Sequence, residues 1–353
     1  MKKEWIIDLG DPILITGASG FIGAAVVRTF LRFGFRQVKA LIRSASQIDN
    51  SQPATAADGD SLPFFVNGNL HSPEDCARAV ANVKVIVHLA AASDKSFSGS
   101  YYNSVIPTRN ILAAAASGGC IQRFVNVSSF AVYSNWSIPR GGLLDEGCEV
   151  ERDPYSRYEP YCYAKTKQDE IAQEMCREHA IPLVTVRPGA VFGPGARQYL
   201  THRIGINTFG VFLHLGGRNR IPFTYVENCA EAVALAALTK GVDGETFNIV
   251  DDDLPRSRDF LRDFKRYARR FRSLTVPYPV FYAFCHFWER YSDWSKGQLP
   301  PAFNRRRCAA YWKGNRYSNQ KAKTMLGWSP QVPFVDAAHR HFEYFRSASI
   351  SVK

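Results

Sequence analysis

Residues 12–23 read P-I-L-I-T-G-A-S-G-F-I-G, and no other stretch restricts the fold as much. The apolar run Ile13, Leu14, Ile15 suits a strand buried on both faces, as parallel strands in layered sheets are. Glycines follow at 17, 20 and 23, ahead of a helical pattern from Phe21 to about Phe33. Small residues in such a turn let backbone N–H groups and the positive end of a helix approach a pyrophosphate. Set between a strand and a helix, the motif points to dinucleotide binding.

A second strand at 38–42 ends at Arg43, where dinucleotide folds keep an acid for the ribose 2′-OH of NAD. No acid stands there, and Arg43 suits a 2′-phosphate, so NADP(H) is favoured over NAD(H). Residues 44–62, rich in Ser, Ala, Asp and Gln, read as a surface loop. Further strands are expected at 64–66, 83–88, 121–128 and 181–188, with a helix at 101–117 and another carrying Tyr161. This alternation predicts an α/β fold, a doubly wound parallel Rossmann sheet with ligands at the C-terminal strand ends. Gly17, His88 to Ala91, and Ser128 with Ser129 then share one edge. Beyond Pro188 the rhythm changes. An element near 223–231, a strand at 246–250 and helices near 256–270 and 333–345 predict a smaller C-terminal substrate lobe. The expected division is 1–190 for the dinucleotide and 191–353 mainly for the substrate, with some later elements returning to the first part.

The chain has 353 residues and is 46% hydrophobic, enough for a large core. Its net charge of +12 is uneven, because residues 256–346 hold 19 Lys/Arg against 6 Asp/Glu. That region favours an anionic partner, expected to be a small molecule rather than a nucleic acid. Eight scattered cysteines without a C-x-x-C pair suit reduced thiols, and no metal site is expected. Neither a secretory layout nor an apolar run of about 18 residues is present, so a soluble cytoplasmic protein is expected.

The chemistry is concentrated at 128–165. A serine pair, Ser128 and Ser129, closes a strand, and P-Y-C-Y-A-K places Tyr161 and Lys165 four residues apart on a helix. That is about one turn, so phenol and ammonium lie on one face. A nearby cation favours the phenolate, and Tyr161 can then exchange a proton with a substrate alcohol. His88, His202 and His214 are not spaced as metal ligands. Glu227 and Asn228 either shape the substrate pocket or cap the helix running through Ala230 to Leu238, and capping is the favoured role.

Taken together, T-G-A-S-G-F-I-G at 16–23, H-L-A-A at 88–91, V-S-S-F-A-V-Y at 127–133, P-Y-C-Y-A-K at 160–165, R-P-G-A-V-F-G-P-G at 187–195 and K-A-K-T-M-L-G-W-S-P at 321–330 resemble the extended short-chain dehydrogenase/reductase family, also called the NAD-dependent epimerase/dehydratase family. The resemblance implies that Tyr161 is the general acid/base, that Lys165 binds the nicotinamide ribose, and that Ser129 hydrogen-bonds the reacting oxygen. It places Gly17, Ser19, Gly20, Phe21, Ile22 and Gly23 at the pyrophosphate, and Asn69 and Leu70 beside the adenine. Leu89, Ala90, Ala91, Val127, Pro188 and Val191 complete the dinucleotide site. Asn69 stands where the family usually has Asp, and Ile221 where sugar-nucleotide enzymes carry an arginine. Arg218 and Arg220 lie close to that position and, with Ser128 and Arg197, are the candidate substrate contacts. The family also implies a homodimer.

Three readings follow. The favoured one is hydride transfer at a secondary alcohol or ketone of a sugar nucleotide, the basic C-terminal lobe holding the diphosphate. A second resembles the 3β-hydroxysteroid dehydrogenases, which T-Y-V-E-N at 224–228 and the aromatic segment 276–288 suggest. Its substrate is an apolar sterol or lipid alcohol, with those aromatics lining a pocket, packing in the core or facing a membrane. In the third the chain binds a dinucleotide as a sensor or scaffold without turnover.

Overall fold

The structure, a computed structural model, describes residues 4–43, 63–92, 94–118, 121–208, 210–296 and 298–350. The loop expected at 44–62 and Cys120 lie outside the described residues. The chain runs β1 (Ile13–Thr16), α1 (Phe21–Arg32), β2 (Val38–Ile42), β3 (Phe64–Asn67), α2 (Pro73–Val80), β4 (Val85–His88), α3 (Phe97–Gly118) and β5 (Arg123–Val127). Then follow β6 (Leu143–Leu144), α4 (Pro160–Glu178), β7 (Leu183–Pro188), β8 (Ala190–Phe192), β9 (Gly205–Thr208), β10 (Val211–His214), β11 (Phe223–Tyr225), α5 (Val226–Leu238) and β12 (Thr246–Ile249). The remainder holds α6 (Ser257–Tyr267), β13 (Ser273–Thr275), α7 (Tyr278–Trp294), α8 (Arg305–Trp312), β14 (Arg316–Tyr317), α9 (Gln320–Leu326) and α10 (Phe334–Ile350).

Seven strands form a parallel sheet in the order β12-β7-β5-β4-β1-β2-β3. Alternate side chains of the central strands enter opposite cores, and polar residues interrupt them only where they find buried partners, as Arg123 does in β5. Ile13 and Ile15 of β1 join one core with Val85, Val125 and Val184, whereas Leu14 joins the other with Ile86 and Phe124. Helices α1 and α5 pack together over the first core; α2, α3 and α4 cover the second. The order reverses between β1 and β4, and this switch point opens a crevice at their C-terminal ends.

Not all of the later chain stays outside this layer. β12 pairs with β7 (Thr246↔Thr185), and α5 packs on α1. The fully buried Arg123 fixes α5: its guanidinium binds the Asp243 carboxylate at 2.7 Å and donates to the carbonyls of Ala236 and Thr239. Those carbonyls belong to the last turn of α5 and its exit, where a helix lacks internal partners.

The expected caps at 227 and 228 fall inside α5, whose N-cap is Tyr225. Asn228 is a buried tie instead. Its amide donates to Asp251 at 3.2 Å and to the carbonyl of Val332 at 3.0 Å, and its oxygen accepts from the N–H groups of Gln331 and Val332. Burial pushes the Asp251 carboxyl up to about 6, against the bonds it receives from Tyr225, Asn228 and Thr224. Outside the main sheet, β8 pairs with β11, β10 lies between β9 and β13, and β6 pairs with β14. Of the later elements, β8, β11 and α8 contribute Val191, Phe223 and Arg307 to the wall of the cavity beside Tyr161.

Candidate active site

The glycine loop leaves β1 with Gly17 in the left-handed region at φ +68°, and the Gly20 N–H closes the turn on the Gly17 carbonyl at 3.0 Å. Gly20 is the N-cap of α1 and offers no side chain to the free N–H groups of that end. No acid stands in the first turn. A Cβ on Gly23 would sit 2.1 Å from the Gly17 oxygen, so α1 can enter against the loop only with glycine there. Unblocked donors, a helix dipole and the absence of a competing carboxylate fit a pyrophosphate. Ser19 is exposed at this turn, and Phe21 and Ile22 are half-buried. Leu89 and Ala90 cross just above, donating their N–H groups to the backbone and side-chain oxygens of Thr16. Leu70, Ala91 and Arg43 lie on the same side of the sheet at the ends of the expected strands, with Arg43 exposed. The Asn69 side-chain oxygen accepts from the His71 N–H at 3.1 Å, which leaves it a second lone pair.

Beneath the crevice one hydrogen-bond chain links Lys165 to β1. The Lys165 ammonium donates to the Val127 carbonyl and to Gln168 Oε1, each at 2.8 Å. Gln168 Nε2 donates to the Thr108 hydroxyl, which itself donates to the Ser104 carbonyl. Thr108 can therefore only accept from His88 Nε2, which fixes the tautomer and makes His88 Nδ1 the acceptor for Thr16. Burial, aided by the nearby Lys165 charge, holds His88 down at about 3, so the ring is neutral. His88 is thus held as a neutral link between Thr16 and Thr108. Burial also lowers Lys165, to about 8, against the pull of Asp169.

Tyr161 stands one helical turn before Lys165, at the N-terminal end of α4. Burial raises its pKa, with Glu159, Cys162 and Asp169 adding to the rise, while the Ser129 hydroxyl acts the other way. Tyr161 and Ser129 line one cavity of about 570 Å³ with Phe21, Val191 and Arg197. Pro188 ends β7 one residue before Gly189, another wall of that space.

Ser128 is not there: its hydroxyl donates to Asp169 at 2.8 Å, in a buried cluster with Asn126 and Arg187. Arg218 and Arg220 are exposed and line neither this cavity nor its neighbour, and Arg220 donates to the Leu254 carbonyl. Arg218 sits on a turn that the Asn219 N–H closes on the Gly216 carbonyl, and Arg220 follows it at an isolated bridge to Arg256.

Beyond Arg197 and Phe281, the cavity walls include Glu159, Tyr199, Phe212, Phe303 and Trp312, which drew no notice in the sequence. A second chamber of about 460 Å³ shares Arg197, Tyr199, His202 and Arg307 with the first and continues to Phe212, Phe281, Phe303 and Trp312. Of the three consecutive arginines, Arg305 is paired with Glu289 and Arg306 with Glu151, and Arg307 faces the shared wall. Glu159 lines the first chamber and accepts from Arg157 at 2.7 Å and from the Tyr311 hydroxyl. Its position two residues before Tyr161 was the available signal.

A crevice at the switch point of a parallel sheet, with a glycine loop on one side and a tyrosine-lysine turn on the other, defines a Rossmann-type dinucleotide protein. The chain belongs to the NAD dependent epimerase/dehydratase family, which residues 13–250 match. It is 28% identical over 269 residues to a trifunctional UDP-glucose 4,6-dehydratase/UDP-4-keto-6-deoxy-D-glucose 3,5-epimerase/UDP-4-keto-L-rhamnose-reductase of Arabidopsis thaliana, covering 71% of this chain and 38% of that protein. It is 24% identical over 353 residues to 3beta-hydroxysteroid-dehydrogenase/decarboxylase isoform 2 of the same plant, covering 94% of this chain and 61% of that one. The chain thus spans less than two thirds of either relative. The fold is also that of the UDP-glucuronic acid 4-epimerase from Bacillus cereus, solved in complex with NAD, with a TM-score of 0.69, 19% identity, and coverage of 95% of this chain and 96% of that one.

Proposed function

We propose that the protein moves a hydride between a nicotinamide dinucleotide and a secondary carbinol carbon of a sugar nucleotide, with Tyr161 as general acid/base. The observation that carries this reading is the Tyr161 phenol beside the Ser129 hydroxyl in the wall of a cavity that continues past Arg197 and Arg307. When bound at the glycine loop, the dinucleotide supplies the hydride acceptor or donor. Tyr161 takes the proton from the carbinol oxygen during oxidation and returns it during reduction. Ser129 donates a hydrogen bond to that oxygen. Lys165 spends two of its three N–H bonds on Val127 and Gln168, and the third remains for the nicotinamide ribose. With the phenol held protonated by burial, reduction can start from the resting state. Retention of the ketone followed by re-reduction gives an epimerase; its release gives a dehydrogenase or reductase.

Arg197 and Arg307 are the proposed clamp for the diphosphate. On this reading Arg307→Met raises KM for the accepted sugar nucleotide by roughly 10- to 100-fold, the worth of a hydrogen bond to a charged group, and leaves dinucleotide affinity unchanged. Steady-state kinetics checks it; an unchanged KM removes the clamp. The second reading, an apolar sterol or lipid alcohol, is favoured by the walls of the outer chamber, where Phe212, Phe281, Phe303 and Trp312 gather.

For the cofactor, Arg43 at the end of β2 supports NADP(H). Arg43→Ala then weakens NADP binding by about tenfold and leaves NAD binding within about twofold, as expected for one charge-assisted contact. Calorimetric titration of both dinucleotides is the measurement, and tighter NAD binding by the unaltered protein would make Arg43 mere surface.

A further inference from the structure

We infer that α7 docks this protein on the surface of an anionic lipid bilayer. The helix has two unlike faces. Phe281 and Cys285 are buried and line the outer chamber, and Ser292 is buried below them. About 120° around the helix from that buried line, Val280, Phe284, Phe287, Tyr291 and Trp294 recur at intervals of four, three, four and three residues, the repeat of a continuous helical stripe. All five are exposed, Phe287 at 69% and Trp294 at 76%, in a protein whose other aromatics mostly pack among themselves. Leu274, on the strand just before α7, adds a further exposed apolar side chain. A contiguous patch of this kind marks an interaction surface rather than ordinary scatter.

Charge decides between occupants. Arg290 lies within the stripe's flank and Lys296 just beyond its end, both exposed, and neither forms an ion pair among the described residues. Arg272 precedes Leu274 and is likewise exposed without an ion pair, and the Arg140 guanidinium sits 5.8 Å from the Tyr278 ring at the helix start. The acids of α7 are turned away: Glu289 binds Arg305, and Asp293, six residues from Phe287, falls about 120° around the helix. A second copy meeting this face across a two-fold axis would set cation against cation. An anionic bilayer satisfies both parts, taking aromatic and apolar side chains at the headgroup boundary and drawing in the basic rim. Among the described residues no helix is long and apolar enough to cross a membrane, so α7 lies on the surface and the outer chamber sits on its inner side.

Flotation of the whole protein with phosphatidylcholine vesicles, with and without about 30% phosphatidylglycerol, tests this. The protein is expected to float with the anionic vesicles only, and less as salt rises. The double variant Phe287→Glu, Trp294→Glu, whose two sites are exposed and outside both chambers, is expected to bind at least about tenfold less, with unchanged circular dichroism and dinucleotide affinity. Arg290→Glu with Lys296→Glu should also lower binding. The inference is overturned if the unaltered protein stays down with anionic vesicles, or if the aromatic variant floats equally well. It is equally overturned if that variant instead splits an oligomer of a protein that ignores vesicles.

Discussion

Gly23→Ala is expected to cost the protein both stability and its dinucleotide. The added Cβ would meet three backbone atoms: the Gly17 oxygen at 2.1 Å, the Gly17 carbonyl carbon at 2.8 Å and Ala18 Cα at 2.9 Å. Backbone does not swing aside as a side chain does. Nor can the loop retreat toward β4, because Gly17 already has the Ala90 nitrogen and Leu89 carbonyl carbon 3.0 Å from where its own Cβ would be. Either α1 lifts from the sheet or the turn opens, at about 1–3 kcal/mol for overpacking of this kind. Opening the turn also misdirects N–H groups proposed for the pyrophosphate, each worth roughly 10-fold or more in affinity. Gly10→Ala is the control, since a Cβ there meets nothing within 4 Å. Thermal unfolding and dinucleotide titration of the two variants make the comparison; equal affinity in both would move the pyrophosphate elsewhere.

What the sequence revealed and what it hid follow from the range of the interactions. The glycine loop was readable because Gly17, Gly20 and Gly23 answer to one another within a single turn. Tyr161 and Lys165 were readable because one helix sets their relation. The apolar runs Ile13 to Ile15 of β1 and Val85 to Val87 of β4 declared a sheet covered on both faces. Arg307 could not be told from its two neighbours, since three consecutive arginines look alike until Glu289 and Glu151 take the other two. Arg218 and Arg220 misled for the opposite reason: adjacency along the chain put them near the substrate, and the fold turned them to solvent. Asn228 looked like a cap because the apolar pattern of α5 seemed to begin after it, whereas its partners Asp251 and Val332 are contributed from beyond the helix. The outer chamber joins residues from β10, α7 and α8 and has no periodic trace in the sequence.

The proposed chemistry depends on Tyr161. Its phenol and the Ser129 hydroxyl share a wall, and Lys165 sits one turn behind, fully buried, held at about 8 by burial against the Asp169 charge. A phenylalanine at 161 keeps the ring and its packing and removes only the proton carrier. Glu159 is held by Arg157 and Tyr311, so its carboxylate is already engaged and is a poor substitute. General acid/base catalysis by one positioned group contributes roughly 10²- to 10⁴-fold. Single-turnover hydride transfer, followed by nicotinamide absorbance with an accepted sugar nucleotide, is therefore the decisive measurement on Tyr161→Phe. The predicted result is a rate lower by that factor with dinucleotide affinity within about twofold of the unaltered protein; a rate that does not change would contradict the assignment.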